Sequence, residues 1–327
     1  MSEIEHYNKQ IKLKNINIKP RLDVLDGLRG VASIIVVIFH FFEVYSFGDP
    51  MKQILNHGYL AVDFFYLLSG FIIGYAYDDR WNKMSCFDFY KRRLIRLHPM
   101  VIAGTFFGIG YYFYSESELF PLIETISPFK LFIAIIFSLL NIPTPECLDI
   151  RGFREINSII PTSWTLQFEY LINILYSIII RRLNTFIIFI LTILSSLMII
   201  NLTLNLDIFN ILKGRDFRMY TVIGGWELTH CELYIGFARL FYPFFAGYLL
   251  FRLKVQIKIK YSFFISSLIL TVCLCFPRVG GDNGIINGIY ESIVILIIFP
   301  LIIIIGAGSV EQNKIIIKFC NFFGELS

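Results

Sequence analysis

The chain has 327 residues, of which 56% are hydrophobic and only 17% are charged, and its formal net charge is +4. A soluble domain has about 25% charged residues, so this composition, with a mean hydropathy of +0.66, excludes an ordinary soluble domain. Six cysteines without C-x-x-C spacing indicate neither a disulfide framework nor a zinc site. We expect the lipid bilayer as a partner, no nucleic acid, and no bound metal or cofactor.

The apolar residues form runs long enough to cross a bilayer, whose ~30 Å hydrocarbon core needs about 20 helical residues. An open strand cannot satisfy its backbone hydrogen bonds in lipid. We therefore predict an all-α fold, a polytopic transmembrane helix bundle of about nine to ten segments. The predicted segments are 30–47, 58–77, 97–114, 129–142, 159–180, 184–206, 232–251, 261–277, 285–306 and a tenth that begins at Ile315 and stops at Ser327.

The placement of Lys and Arg predicts the orientation. Five basic residues within 9–21 precede the first segment, so we predict a cytoplasmic N-terminal segment, 1–25, ahead of a transmembrane domain, 26–327. The short segment 129–142 leaves two topologies open, because its length suits a re-entrant segment as well as a span. If it spans, the basic stretches 181–182 and 252–260 lie outside. If it re-enters, both lie in the cytoplasm.

The first segment carries an arginine and a histidine on one face. His40 lies in an otherwise apolar run, where an ionisable side chain is costly and marks a functional position. Eleven positions at about 100° each place Arg29 on the same face, roughly 16 Å away along the axis. Asp26 and Glu43 can lie on that face too, and Glu43 can fix the tautomer of the imidazole. A structural histidine and a catalytic one fit this pattern equally.

Three further charged residues lie in predicted membrane segments: Asp63, Glu169 and Arg239. Arg29 and Arg239 are candidate partners of Asp63, and Glu169 is a second candidate partner of Arg239. His40, Asp63 and Glu169 also fit a different class of protein, a proton-coupled transporter or exporter with a proton relay. The lack of an internal repeat disfavours that class.

A basic cluster, Lys91–Arg96, precedes the third predicted segment. Arg92 and Arg96 are four residues apart and can bind the phosphates of a nucleotide-bearing ligand. The same side chains also suit a topology anchor or a lipid-headgroup contact. The cluster alone does not decide between these roles.

Five stretches of the chain, in order, resemble the motifs of the acyltransferase-3 family, and the resemblance covers most of the chain, from about residue 22 to the end. They are Leu25–Gly30 with His40, Gly58–Phe65 with Leu68–Phe71, Arg92–Arg96 with Pro99, Ser163–Leu166 with Glu169, and Arg239 with Phe244–Gly247.

The resemblance implies a multi-pass enzyme of the bacterial cytoplasmic (inner) membrane. Such enzymes move an acyl group, most often acetyl, from cytoplasmic acyl-CoA to a hydroxyl of a carbohydrate or lipid-linked glycan. Acyl-CoA is then a co-substrate. The resemblance implies catalytic roles for His40, Arg29, Glu43 and Glu169, acyl-CoA binding by Arg92, Arg93 and Arg96, and substrate-binding or structural roles for Asp26, Asp63, Ser69, Ser163, Trp164 and Arg239.

The end of the chain departs from the family pattern. Family members continue past a Gly-x-x-Ser element, which Gly324–Ser327 resembles, into a last helix with a further histidine. The sequence stops at that element. We therefore expect the last helix of the domain to be truncated.

Overall fold

The computed structural model describes residues 19–46, 49, 52–114, 125–213, 215, 218–281, 284–309 and 313–325. These residues form ten helices, with no strand among them beyond an isolated bridge between Glu155 and Glu227. The helices are α1 Asp23–Tyr45, α2 Ala61–Tyr77, α3 Cys86–Tyr114, α4 Pro128–Leu139, α5 Trp164–Ile178, α6 Thr185–Thr203, α7 His230–Leu253, α8 Ser262–Cys275, α9 Ile285–Ala307 and α10 Lys314–Glu325.

Of the ten helices in the described residues, six are long and apolar enough to cross a membrane: α1, α2 with its preceding 3-10 turn Gly58–Leu60, α3, α6, α7 and α9. The shorter α8 still connects the two ends of the bundle. At its start the Ser262 hydroxyl donates to Ser309, just beyond α9, and near its end the Leu274 carbonyl accepts from the His57 amide ahead of α2. The prediction of a polytopic helix bundle is confirmed.

The helix α3 begins at Cys86, eleven residues before the predicted segment 97–114, so the basic cluster lies on its first turns. A reciprocal cap explains the early start. The Ser85 amide donates to the Asp88 carboxylate at 3.1 Å, and the Asp88 amide donates to the Ser85 hydroxyl at 3.1 Å. Two amides that lack helical partners are thereby satisfied.

The helix α4 does not cross the bundle. Its last turn lies beside the middle of α3, where the hydroxyls of Thr105 and Ser138 are 3.0 Å apart. The chain then returns along the same part of α3, since Ile159 and Ile160 contact its glycines. Twelve helical residues cover about 18 Å, too little for a ~30 Å core. This packing favours the re-entrant alternative for segment 129–142.

The basic stretches lie at one end of the bundle. The Lys19 ammonium pairs with Asp79 after α2, and the Arg252 guanidinium at the end of α7 pairs with Asp78 at 2.8 Å. The same guanidinium donates to the Arg181 carbonyl at 3.3 Å. We call this the Arg29 end, because α1 begins there, and we call the opposite end the His40 end.

The bundle is centred on α2 and α7, which approach each other through glycine. A side chain at Gly70 would overlap the backbone of Phe244, and one at Gly247 would overlap the backbone of Leu67. Both glycines therefore permit the close approach of the two helices. The close approach also lets charged residues on α2 and α7 contact each other.

Two further features shape the bundle. A π-helical turn, Val294–Ile298, interrupts α9, and the Tyr242 hydroxyl on α7 donates to the Leu296 carbonyl within it at 2.9 Å. The terminal helix α10 packs on α1, with Phe323 against Gly30. It corresponds to the predicted tenth segment, and Leu326 and Ser327 lie outside the described residues.

Candidate active site

The Arg29 side chain projects from α1 towards the end of α10. Its Nη2 donates to the Gly324 carbonyl at 3.0 Å, and its Nη1 lies 3.8 Å from the Asp26 carboxylate. A guanidinium on the last carbonyls of a helix satisfies acceptors that have no helical partner and opposes the negative end of the helix dipole. The predicted placement of Asp26 on the Arg29 face is confirmed.

Further charged residues surround Arg29, whose charge interacts with those of Arg96 and Glu169. The Arg93 Nη2 pairs with the Glu169 carboxylate at 2.5 Å, and the Ser69 hydroxyl donates to the same oxygen at 3.3 Å. Four helices, α1, α2, α3 and α5, thus bring predicted site residues into one charged cluster. We call Arg29, Ser69, Arg93, Arg96 and Glu169 the arginine cluster.

The arginines on α3 differ in what they can bind. Arg93 is 5% exposed, and its Nη2 is held by Glu169. Arg92 and Arg96 are exposed and form no ion pair with the part of the chain that is described. A ligand can therefore reach Arg92 and Arg96 directly, whereas Arg93 orients Glu169.

His40 lies at the other end of the same face of α1, and its Nδ1 is 2.7 Å from the Glu43 carboxylate. The predicted position of Glu43 is confirmed. Because an ionised carboxylate only accepts hydrogen bonds, Nδ1 carries the proton in the neutral ring, and Nε2 keeps its lone pair. The His40 side chain is 43% exposed. It is therefore an accessible base or nucleophile.

Asp63 and Arg239 form a separate, fully buried ion pair of 2.8 Å. Arg29 is therefore not the partner of Asp63, and Glu169 is not the partner of Arg239. Which charged residues pair depends on their positions along the helix axes, and α2 and α7 place Asp63 and Arg239 at the same level. The Arg239 guanidinium also donates to the Tyr59 carbonyl at 2.7 Å and lies over the Trp164 ring.

The first turn of α5 presents two buried oxygens. The Ser163 hydroxyl and the Gln167 Oε1 have no hydrogen-bond partner among the described residues. They lie four residues apart, so they share a face. Ser163 and Trp164 were predicted from the sequence but Gln167 was not, although its spacing from Ser163 was an available signal. Unpaired buried acceptors of this kind suit the hydroxyls of a ligand.

A loop, 149–160, packs over the His40 end beside the segment that leads into α7. The Ile156 amide donates to the Trp226 carbonyl at 2.7 Å, and the Arg151 guanidinium donates to Glu155 at 2.8 Å. Burial raises the pKa of the Glu155 carboxyl to about 7, in spite of this arginine. Glu155 was not predicted as a site residue from the sequence.

Within the described ranges, no group of three or more His, Cys, Asp or Glu side chains is placed to hold a metal ion. The site consists instead of the arginine cluster at one end of α1 and the His40–Glu43 pair at the other. Such an arrangement can bind a polyanion at one end and move a proton at the other. These are the requirements of group transfer from a charged carrier.

The chain belongs to the acyltransferase-3 family, whose model, described as an acyltransferase domain, matches residues 22–327. It is a multi-pass membrane acyltransferase. It is 30% identical to protein 2 in the picA locus of Rhizobium radiobacter over 164 residues, which cover 48% of this chain and 81% of that protein.

Two other relatives match over shorter shares of their length. Acyltransferase MdmB of Streptomyces mycarofaciens is 29% identical over 46% of this chain and 37% of its own. O-acetyltransferase OatA of Staphylococcus aureus is 37% identical over 24% of this chain and 12% of its own. No solved structure matches the chain.

Proposed function

We propose that this acyltransferase moves an acyl group, acetyl in the simplest case, from acyl-CoA at the Arg29 end to a hydroxyl of a carbohydrate or lipid-linked glycan at the His40 end. One observation carries the proposal. A single face of α1 begins in the arginine cluster and ends at the His40–Glu43 pair. The name of the relative from Staphylococcus aureus, an O-acetyltransferase, supports acetyl as the group transferred.

The exposed Arg92 and Arg96 bind the phosphates of the donor in this proposal. Guanidinium groups form bidentate, charge-assisted hydrogen bonds with phosphate oxygens. The thioester then extends along α1 towards His40, over the roughly 16 Å that eleven helical residues cover. Glu169, held by Arg93 and Ser69, forms the wall of this path.

His40 performs the proton transfer. Its Nε2 takes the proton from the acceptor hydroxyl while the hydroxyl oxygen attacks the thioester carbonyl carbon. A carbon–oxygen bond forms, the carbon–sulfur bond breaks, and the CoA thiolate leaves and receives the proton held by His40. Glu43 stabilises the imidazolium through Nδ1. In a second route, Nε2 itself takes the acyl group and passes it to the hydroxyl; trapping an acyl-histidine separates the two.

The proposed location is the cytoplasmic membrane, with residues 1–25 in the cytoplasm and the transmembrane domain at 26–327. The positive-inside rule supports this orientation, because the basic stretches 181–182 and 252–260 lie at the Arg29 end with Lys19. The donor side is then the cytoplasm, where acyl-CoA is made. The transporter alternative loses support, since Asp63 is committed to Arg239 and is not a free relay group.

The test is acyl transfer by the purified full chain in nanodiscs with labelled acetyl-CoA and extracted surface glycan. We expect CoA release that depends on the glycan, with the label recovered in the glycan. His40→Ala abolishes both, and His98→Ala, at a histidine that hydrogen-bonds Tyr170, keeps both. CoA release that His40→Ala leaves intact, or no release from the wild type, would contradict the proposal.

A further inference from the structure

A buried polar network at the His40 end lies outside the residues considered so far. His57 is 1% exposed, and Asn287 and Glu291 on α9 are 1% and 0% exposed. The His57 Nε2 is 2.8 Å from the Asn287 Oδ1, and the Asn287 Nδ2 donates to Glu291 at 2.6 Å. The amide of Asn287 thus bridges a histidine and a carboxylate.

Hydrogen-bonding groups surround the Glu291 carboxylate. Its Oε1 accepts from the Tyr59 hydroxyl at 2.6 Å and the Thr221 hydroxyl at 2.7 Å, as well as from Asn287. Its Oε2 accepts from the Val222 amide at 2.7 Å. An ionised carboxylate can accept all four of these hydrogen bonds, and they stabilise its negative charge.

The orientation of Asn287 follows from its other neighbours. Its Nδ2 donates to the Tyr220 carbonyl at 3.1 Å as well as to Glu291. If the amide were turned over, its oxygen would face two acceptors, that carbonyl and the Glu291 carboxylate. The Oδ1 therefore points at His57.

Both ring nitrogens of His57 then face acceptors. The Nδ1 lies 2.7 Å from the Phe276 carbonyl, which can only accept, and the Nε2 faces the Asn287 Oδ1. A neutral imidazole donates from only one nitrogen, whereas the imidazolium donates from both. Other ionisable groups near the network are Tyr290, Arg278 and Arg215.

We infer that His57 is an imidazolium that forms a buried ion pair with Glu291, bridged by Asn287, and that this unit positions the turn of α1 that carries His40. The path is short. The Tyr59 hydroxyl is held by Glu291, and the Tyr59 ring packs edge-on against Phe39 at 6.0 Å between centroids. Phe39 precedes His40 in the chain.

The same tyrosine joins the network to the buried ion pair, since its carbonyl accepts from Arg239. Glu291, His57 and Asn287 are positioning residues, because they act through Tyr59 and Phe39. This role rests on the proposed function. The protonation of His57 does not, and it is tested separately.

The first measurement is the ¹⁵N spectrum of the full chain, labelled on histidine, at neutral pH. We expect one histidine with both ring nitrogens protonated, absent in His57→Gln and present in His98→Gln. In Glu291→Gln the same ring is expected to carry one proton. An unprotonated ring nitrogen on His57 in the wild type would overturn the inference, and it would mean that Asn287 is turned over.

The second measurement separates positioning from folding. Tyr59→Phe removes only the hydroxyl held by Glu291, and we expect kcat to fall about ten-fold with KM for acyl-CoA unchanged, because a small misplacement near the reacting atoms is costly. Tyr290→Phe removes a hydroxyl beside His57 that donates to the Cys273 carbonyl. It is the matched control and keeps kcat.

A double-mutant cycle completes the test. We expect Glu291→Gln to lower kcat at least about ten-fold, and His57→Gln with Glu291→Gln to recover part of that loss, because the charges are removed together. An unchanged kcat in folded Tyr59→Phe and Glu291→Gln would overturn the positioning role. A wild type without acyl transfer would contradict the proposed function and leave the spectrum of His57 as an independent result.

Discussion

Asp63 on α2 and Arg239 on α7 lie 2.8 Å apart, with relative exposures of 0% and 1%. Desolvation makes such a pair costly unless every hydrogen-bonding group is satisfied. Arg239 meets this condition through the carbonyls of Tyr59 and Gly224. The pair therefore joins α2, α7 and the two segments that precede them.

Removal of one partner should be strongly destabilising. Arg239→Met leaves a buried carboxylate without a partner, and we expect a loss of about 3–5 kcal/mol in the free energy of unfolding, measured by denaturation in detergent. Lys52→Met, which breaks the exposed pair with Asp49, should cost at most about 1 kcal/mol. A double variant, Asp63→Leu with Arg239→Met, should be more stable than Arg239→Met. Equal instability would show that the charge pair is not the cause.

The His40–Glu43 pair predicts two grades of loss in activity. We expect His40→Ala to lower kcat by about 10²–10⁴-fold, the usual contribution of a general base. Glu43→Gln keeps the ring but weakens control of its tautomer, so kcat should fall less. The KM for acyl-CoA should stay unchanged in both, because the donor binds at the other end of α1. A large rise in KM with normal kcat would contradict these roles.

The arginines of α3 should separate into two kinds. Arg96→Gln removes charge-assisted hydrogen bonds to phosphate, and we expect KM for acyl-CoA to rise about ten-fold to a hundred-fold with normal thermal stability. Arg93→Gln breaks the buried pair with Glu169, so it should lower stability as well as kcat. Steady-state kinetics and thermal unfolding distinguish the two. The same change in KM, kcat and stability in both variants would contradict the separate roles of Arg96 and Arg93.

The loop over the His40 end should lose stability as the pH rises. Burial raises the Glu155 pKa from 4.5 to about 7, so between these values the folded loop binds a proton that the unfolded loop does not. Stability is therefore greatest below 4.5 and declines as the pH passes through about 7. Hydrogen exchange of the amides in 149–160, corrected for intrinsic rates, should show this decline in stability with pH. Glu155→Gln should make the exchange protection of the loop independent of pH in this range. Glu146→Gln, which breaks an exposed ion pair with Arg154, should leave the pH dependence unchanged.

The re-entrant α4 predicts which residues a membrane-impermeant maleimide labels in intact cells. The exposed Cys147 lies after α4 at the His40 end and should be labelled from outside. In a Cys147→Ser background, Arg182→Cys and Lys258→Cys should be labelled only after the membrane is opened. External labelling of Arg182→Cys would mean that α4 crosses.

The sequence was sufficient to predict the membrane helices and the face shared by Arg29, His40 and Glu43, because these depend on spacing within one helix. The partner of Asp63 depends on the relative depth of α2 and α7, and spacing within either helix does not determine it. The path of segment 129–142 could not be predicted either, because its length suits both a span and a re-entrant segment. Its contact with Thr105 joins residues far apart in the sequence, so local spacing does not reveal it. Glu291 has the signal used for Asp63, a carboxylate in an apolar run, and was overlooked.

The π-helical turn in α9 adds one residue to the helix, and each residue turns it by about 100°. Asn287 and Glu291 before the turn and Phe299 and Ile302 after it are all buried. Loss of a single residue there, such as the exposed Ile297, would rotate one half against the other. Either the Glu291 carboxylate or the side chains of Phe299 and Ile302 would then face away from the residues that they contact. The apolar run thus tolerates exchange of one aliphatic residue for another, but its residue count is as constrained as the identity of Glu291.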